Sequence, residues 1–298
     1  VIALTTIARW FSHRRGFMTG IAKVGTGAGQ FVIPLLASGL ILVYGWRWGF
    51  VIIGLTVSVT LITMAQFLRR DPSALNTKRP PGAVIDEAAR ESITGVPLPE
   101  AIKTVQLWTI CLLNLFLVFC LMIVMLHIVP HARDSGIPPI KAAGVLSTIG
   151  AVSMAGRFIS GVIIDRRGSK TVMSICFLLL LVDLGWLQVA QSVWMLYLFA
   201  VVYGLAHGGF FTAISPLVAE WFGIRSHGAI FGMVAFFGTT GGAVGPLVAG
   251  HLFDRFGSYE ATFLMVGAMA LVAWGLLLSL RPLNRAWAES GTTAADGQ

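Results

Sequence analysis

GRFISGVIIDRRGSK, residues 156–170, sets an arginine inside an apolar helix, then an aspartate, a basic turn and a second apolar helix. Asp165 follows Arg157 by eight residues, and the turn is Arg166-Arg167-Gly168-Ser169-Lys170. Eight residues of helix rise ~12 Å. With Asp165 at the membrane edge, Arg157 is predicted to lie about that deep in the bilayer. An ionisable group at such depth is a functional candidate by default. Clustered Lys and Arg between two spans mark the cytoplasmic side.

The composition agrees with a chain built of such hairpins. Of 298 residues, 56% are hydrophobic and 11% charged, with a mean hydropathy of +0.82. Soluble domains are about 45–50% apolar and about 25% charged. The chain is therefore an all-α polytopic membrane protein whose surrounding partner is the lipid bilayer. Its net charge of +8 does not point to nucleic acid, because the basic residues sit in short loops between apolar helices. Cys111, Cys120 and Cys176 all lie in apolar segments, with no disulfide framework and no metal spacing. No cofactor is implied.

Residues 1–8 read as the tail of a helix cut off upstream, so the chain is expected to be an N-terminally truncated fragment. Arg9, His13, Arg14 and Arg15 form a basic loop. Helices are predicted at 17–43 and 48–68, with Gly45-Trp46-Arg47 as the turn between them. Gly20, Gly25, Gly27 and Gly29 suit close helix approach. Residues 69–102 are polar and punctuated by proline, and read as a linker. Six further helices are predicted at 104–128, 141–164, 171–190, 193–217, 227–252 and 259–281, each long enough for a bilayer. The expected divisions are 1–68, the end of a first half; 69–102, the linker; 103–285, a second half; and 286–298, a disordered tail. With the linker and C-terminus on the cytoplasmic side, 15 of the 21 Lys and Arg face that side and 4 face the other. Lys23 and Arg157 are left inside helices.

ARWFSHRRGFMTGI at 8–21 is similar to AEWFGIRSHGAIFGM at 219–233, and PLLASGLILVYG at 34–45 is similar to PLVAGHLFDRFG at 246–257. The helix at 17–43 thus corresponds to that at 227–252. Four helices precede the latter in its half, so four are expected before residue 9. The pattern is six helices, a linker and six more, with parallel halves, and it resembles the major facilitator superfamily (MFS) of secondary transporters. The chain would hold eight complete helices, the fifth to twelfth of twelve.

Gly161, Asp165, Arg166, Gly168 and Lys170 resemble the superfamily's loop GxxxDRxGxK. The resemblance implies a cytoplasmic gate latch, its Asp and Arg pairing with neighbouring helix ends. Glu220 and Arg225, at the next cytoplasmic junction, are the expected partners. Trp10, Phe11, Arg14, Arg15, Gly20, Ala22 and Gly25 further resemble the lead-in to the fifth helix in the monocarboxylate porter branch. That branch implies a substrate-binding arginine at Arg157. Many of its members have an aspartate four residues earlier, linked to proton coupling, where this chain has Ser153.

The candidate substrate-binding residues follow. Arg157 shares a helical face with Ser153, Ser160 and Gly161. Its planar fork suits a carboxylate; the alternative is a structural ion pair. Lys23, eight residues past Arg15, lies at similar depth and is either a second cation for an anion or a snorkelling side chain. His207 in YGLAHGGFF, with Tyr203 at i−4 and Phe211 at i+4, either binds substrate or carries a proton, or else bonds a backbone carbonyl. Asn114 bonds substrate or another helix. His127 and His131 read as an outer cap or gate, and Asp183 as a buried acid that pairs with a neighbour or is protonated. Gly232, Gly241, Gly245-Pro246 and Gly250 are expected to support close packing and a bend.

No HExxH, GxSxG or paired intramembrane aspartate motif is present, so no catalytic centre is assembled. The resemblance implies a secondary transporter of a small organic anion, with protons as coupling ion, in a bacterial inner membrane. An exporter of drugs or other solutes is the alternative within transporters, and a receptor the alternative outside them. A drug-cation exporter would need buried acids.

Overall fold

The computed structural model describes residues 6–7, 14–67 and 95–280. The Trp10-Phe11 end of the repeat, most of the linker and the tail from 281 lie outside the described residues. Among the described residues the regular structure is helical, apart from an isolated bridge between Gly95 and Gly223. The helices are α1 Arg15–Phe67, α2 Leu98–Ala101, α3 Val105–Asp134, α4 Pro139–Arg167, α5 Ser169–Leu187, α6 Val193–Phe222, α7 His227–Phe256 and α8 Glu260–Ser279. Seven helices among the described residues are long and apolar enough to cross a membrane, Val43–Gln66 being the first. With no water in the hydrocarbon, backbone groups must be satisfied within each segment, which leaves helix as the outcome for these runs.

Local chemistry sets the ends. The Thr104 hydroxyl accepts from Leu107 N at 3.4 Å and starts α3. Pro138-Pro139 opens α4, where a missing N–H is harmless. The expected turn Gly45-Trp46-Arg47 falls at a kink centred on Gly45, at φ 76 and ψ 163, which divides Arg15–Phe67 into two helical arms that share the label α1. Only glycine takes that φ without a side-chain clash. Helix α3 exceeds expectation. It continues past Pro130 to Asp134, because Ile128 and Ala132 are fully buried on neighbouring helices and hold the last turns in place. The expected linker, too, is ordered at its end: Val96 N donates to Phe222 O at 2.9 Å, and Ala101 of α2 is buried.

Apolar helices gain no hydrophobic drive against each other in lipid, so small residues decide which faces meet. On α1 these are Gly16, Gly20 and Gly27, spaced to share one face with Lys23. A Cβ at Gly16 would stand 2.7 Å from Gly161 O of α4, and one at Gly20 would stand 2.6 Å from Arg157 O. Gly25 and Gly29 have nothing within 4 Å, contrary to expectation, because they fall off that face. Helix α6 sits on α4 through Gly156, whose Cβ would lie 2.6 Å from Leu205 O, and through Gly208 against the Ser153 carbonyl. Helix α7 sits on α3 through Gly241 and Gly245, where a Cβ on the latter would lie 2.8 Å from Phe119 O. Gly232 and Gly250, also expected to pack, have nothing within 4 Å. The segment beyond Gly45 is almost wholly exposed.

Candidate functional site

The α1–α4 contact brings Lys23 and Arg157 together. Arg157 is 2% exposed, and its Nη1 donates to the Lys23 main-chain carbonyl at 2.8 Å. Gly27 makes room for the guanidinium, since a Cβ there would lie 2.7 Å from Nη1. Arg157 Nε has no hydrogen-bond partner. The Lys23 ammonium turns the other way, donating to the Phe211 carbonyl of α6 and lying over the Phe211 ring at 5.6 Å.

Beyond Lys23 is a cavity of about 290 Å³ between α1, α3, α6 and α7. Its walls are Lys23, Asn114, Leu117, Val118, Leu121, Phe210, Phe211, Ile214, Phe231, Ala235, Gly238 and Thr239. Lys23 is the one charged residue among them. Asn114 is both a wall residue and a helix tie: its Nδ2 donates to Val234 O at 2.8 Å, and its amide lies against Gly238.

The other expected residues stand behind the wall. His207 is 1% exposed, with its ring 5.9 Å from Tyr203 and 4.9 Å from Phe211, and neither ring nitrogen has a hydrogen-bond partner. The backbone bond that was the alternative for His207 is not made. The Tyr203 hydroxyl donates to Leu121 O at 2.9 Å, tying α6 to α3. The Ser153 hydroxyl turns back on its own helix, donating to Gly150 O at 2.8 Å. Sequence reasoning missed Phe210, Phe231 and Thr239 as cavity walls. The adjacent Phe210-Phe211 pair beside His207 was the available signal.

At one end of the bundle the 165–170 loop gathers three helix termini. The Asp165 carboxylate accepts from Gly16 N at 2.7 Å and Phe17 N at 3.0 Å, in the first turn of α1. A carboxylate there satisfies orphan N–H groups and meets the positive end of the helix dipole. Gly168, at φ 79 and ψ 161, is both the last cap of α4 and the first of α5. Glu220 accepts from Ser169 N at 3.1 and 3.2 Å and from Ser169 Oγ at 2.7 Å. Lys170 Nζ donates to Leu278 O at 3.1 Å and Leu280 O at 2.7 Å, at the end of α8. The expected pairing of Asp165 and Arg166 with Glu220 and Arg225 is thus corrected. Asp165 reaches across to α1, because four unpaired N–H groups at a helix start attract a carboxylate; Glu220 does the same for α5. Arg166 and Arg225 are exposed.

At the opposite end of α3, His127 Nδ1 lies 3.3 Å from Tyr259 Oη and Nε2 lies 3.3 Å from Pro246 O. The His131 ring packs edge-on against Tyr259 and Phe263. Asp183 is 2% exposed, with Oδ2 lacking a hydrogen-bond partner. No group of three metal-ligating side chains occurs among the described residues.

The model of the Major Facilitator Superfamily matches residues 1–186 and 154–296. The chain belongs to that superfamily. It is 27% identical to monocarboxylate transporter 12 of Rattus norvegicus over 95% of its length and 63% of the relative's. It is 28% identical to monocarboxylate transporter 13 of the same organism, over 93% of its length and 62% of the relative's. The chain thus spans a little under two thirds of the curated relatives it matches. Among solved structures, the human organic anion transporter MFSD10 superposes with a TM-score of 0.69 at 18% identity, over 92% of this chain and 66% of that one. The proton:xylose symporter XylE superposes with a TM-score of 0.73 at 14% identity, over 94% and 67%. These likenesses bear on the MFS fold. These two monocarboxylate transporters come from a eukaryote and lend no support to the bacterial membrane expected from the sequence.

Proposed function

We propose that the protein is a secondary active transporter that carries a small, monocarboxylate-like organic anion by alternating access, with proton symport as the coupling. The observation that carries this reading is the pairing of buried Arg157 with half-buried Lys23 at a cavity whose described wall residues include no carboxylate. Lys23 stands in the wall, and Arg157 bonds its carbonyl from behind. A cation in a low-dielectric site is costly unless paired. An anion on Lys23 relieves that cost and favours closing the cavity around it. A cationic drug finds no acid among the wall residues, which argues against export of such compounds. The relatives named as monocarboxylate transporters support the same substrate class.

In this reading Lys23, Arg157, His207, Ser153, Tyr203 and Asn114 form the substrate region. Lys23 and Asn114 meet the anion first, and Arg157 joins when the α1–α4 contact loosens. Gly161, Asp165, Arg166, Gly168, Lys170, Glu220 and Arg225 form a latch on the cytoplasmic side, where the 69–102 linker and the C-terminus also lie. Gly161 pressed on Gly16, and Asp165 bonded to the start of α1, close that end.

The test uses the natural full-length protein in liposomes. Uptake of labelled carboxylates is measured with and without an inward pH gradient, for wild type, Lys23→Gln and Arg157→Gln. The expected result is saturable uptake, stimulated by the gradient and sharply reduced at low substrate in both variants. Absence of carboxylate uptake, or full activity in both variants, sinks the reading.

A further inference from the structure

The cavity says more than that an anion enters it. Of the wall residues, Lys23, Asn114 and Thr239 bear polar side chains, and the Asn114 amide is already engaged with Val234 O. The rest is hydrocarbon, and three of the twelve wall residues are phenylalanines: Phe210, Phe211 and Phe231. The volume of about 290 Å³ corresponds to about ten water-sized atoms at ~30 Å³ each. A three-carbon acid would leave roughly half of that space empty or filled with water facing apolar walls. Ligand sites of this kind set a few polar anchors in a mainly apolar pocket, with the anchors fixing orientation and the walls giving affinity.

Resting on the anion-transport reading, we infer that the preferred substrate is a monocarboxylate with a bulky apolar tail, best an aryl group. The carboxylate meets the Lys23 ammonium. The tail lies between Phe211 on one side and Leu117 and Phe231 on the other, and an aromatic ring stacks there edge-on or offset. The ammonium has three donors, and the Phe211 carbonyl occupies one, so a carboxylate is received without breaking that bond. A second charge on the tail would have no partner among the described wall residues around it, so an amino acid is expected to bind more weakly than the matching uncharged-tail acid. Burying each further methylene strengthens binding about fourfold until the cavity is full.

The experiment uses the full-length protein in liposomes, with protein-free liposomes subtracted. Saturable uptake of labelled propionate, hexanoate and 4-phenylbutyrate is measured, with 4-phenylbutylamine as the cationic control. The expected result is a half-saturation for 4-phenylbutyrate at least tenfold below that of propionate, with hexanoate between, and no saturable uptake of the amine. Ala235→Leu, which shortens the cavity, is expected to raise the 4-phenylbutyrate value about tenfold and the propionate value by less. Wild-type propionate saturating as tightly as 4-phenylbutyrate overturns the tail preference while leaving anion transport in place. Uptake of the amine but neither acid overturns both. The wild-type series decides the matter without the variant.

Discussion

Arg157 Nη1 donates to the main-chain carbonyl of Lys23, so a buried cation is held by the backbone of the residue that carries a second, half-buried one. The bond crosses from α4 to α1. It makes the position of the Lys23 ammonium depend on the α1–α4 contact, and it leaves Arg157 Nε without a partner in the same place.

Arg157→Gln removes the charge and shortens the reach to the Lys23 carbonyl. A hydrogen bond from a charged group is worth about 1.5–3 kcal/mol, so uptake at low substrate is expected to fall ten- to a hundredfold. Arg157→Lys is expected to recover little, since an ammonium lacks the planar fork. Lys23→Gln is expected to raise the half-saturation with less effect on protein stability. Measuring kinetics and thermal unfolding on the same three preparations separates these outcomes.

The glycine contacts predict a pattern along one helix. Gly20→Ala on α1 drives a methyl into the Arg157 carbonyl, and Gly241→Ala on α7 does the same to the Leu115 carbonyl. Overpacking of this kind lowers stability by about 1–3 kcal/mol. Gly25→Ala and Gly29→Ala meet nothing within 4 Å, and alanine favours a helix over glycine by about 1 kcal/mol. These two are expected to be neutral or stabilising. Thermal unfolding in detergent checks all four.

Asp165→Ala leaves Gly16 N and Phe17 N without their acceptor. Loss of a helix cap costs about 0.5–2 kcal/mol, so the open population at that end should rise roughly two- to thirtyfold if the bond exists only in the closed arrangement. Thr19, 3% exposed on the first turns of α1, reports on it. In a Thr19→Cys background, thiol labelling is expected to accelerate by that factor in Asp165→Ala and to change less in Asp165→Asn. The native cysteines are buried and add a slow background.

Asn114→Asp places a carboxylate against the Val234 carbonyl, where the amide N–H₂ now donates. It also adds negative charge to a wall that Lys23 otherwise makes positive. Anion half-saturation is expected to rise at least tenfold near neutral pH and to recover as acid protonates the new group. A pH series of uptake kinetics, referenced to wild type, measures this.

The helices were legible because an apolar run of bilayer length has no other way to satisfy its backbone. The special loop was legible because Gly161, Asp165, Arg166, Gly168 and Lys170 resemble the superfamily's GxxxDRxGxK. The partners were not. Asp165 binds two N–H groups, Lys170 two carbonyls and Arg157 one carbonyl, and main-chain acceptors and donors carry no side-chain signature. The cavity phenylalanines were hidden for another reason. Helix α6 is apolar all round, so nothing in its pattern separates a residue facing lipid from one facing a cavity. Likewise Gly25 and Gly27 read alike, and only the face shared with Gly16 and Gly20 tells them apart.

Gly168 ends one helix and begins the next with no residue between. Within the few residues around it, the chain grips the start of α1, the start of α5 and the end of α8. Such a joint has no slack. A tilt of α4 cannot be absorbed locally; it becomes a pull on α1 and a push on α8, as with rods pinned to one knuckle. One residue inserted after Gly168 would leave every helix intact and sever that linkage.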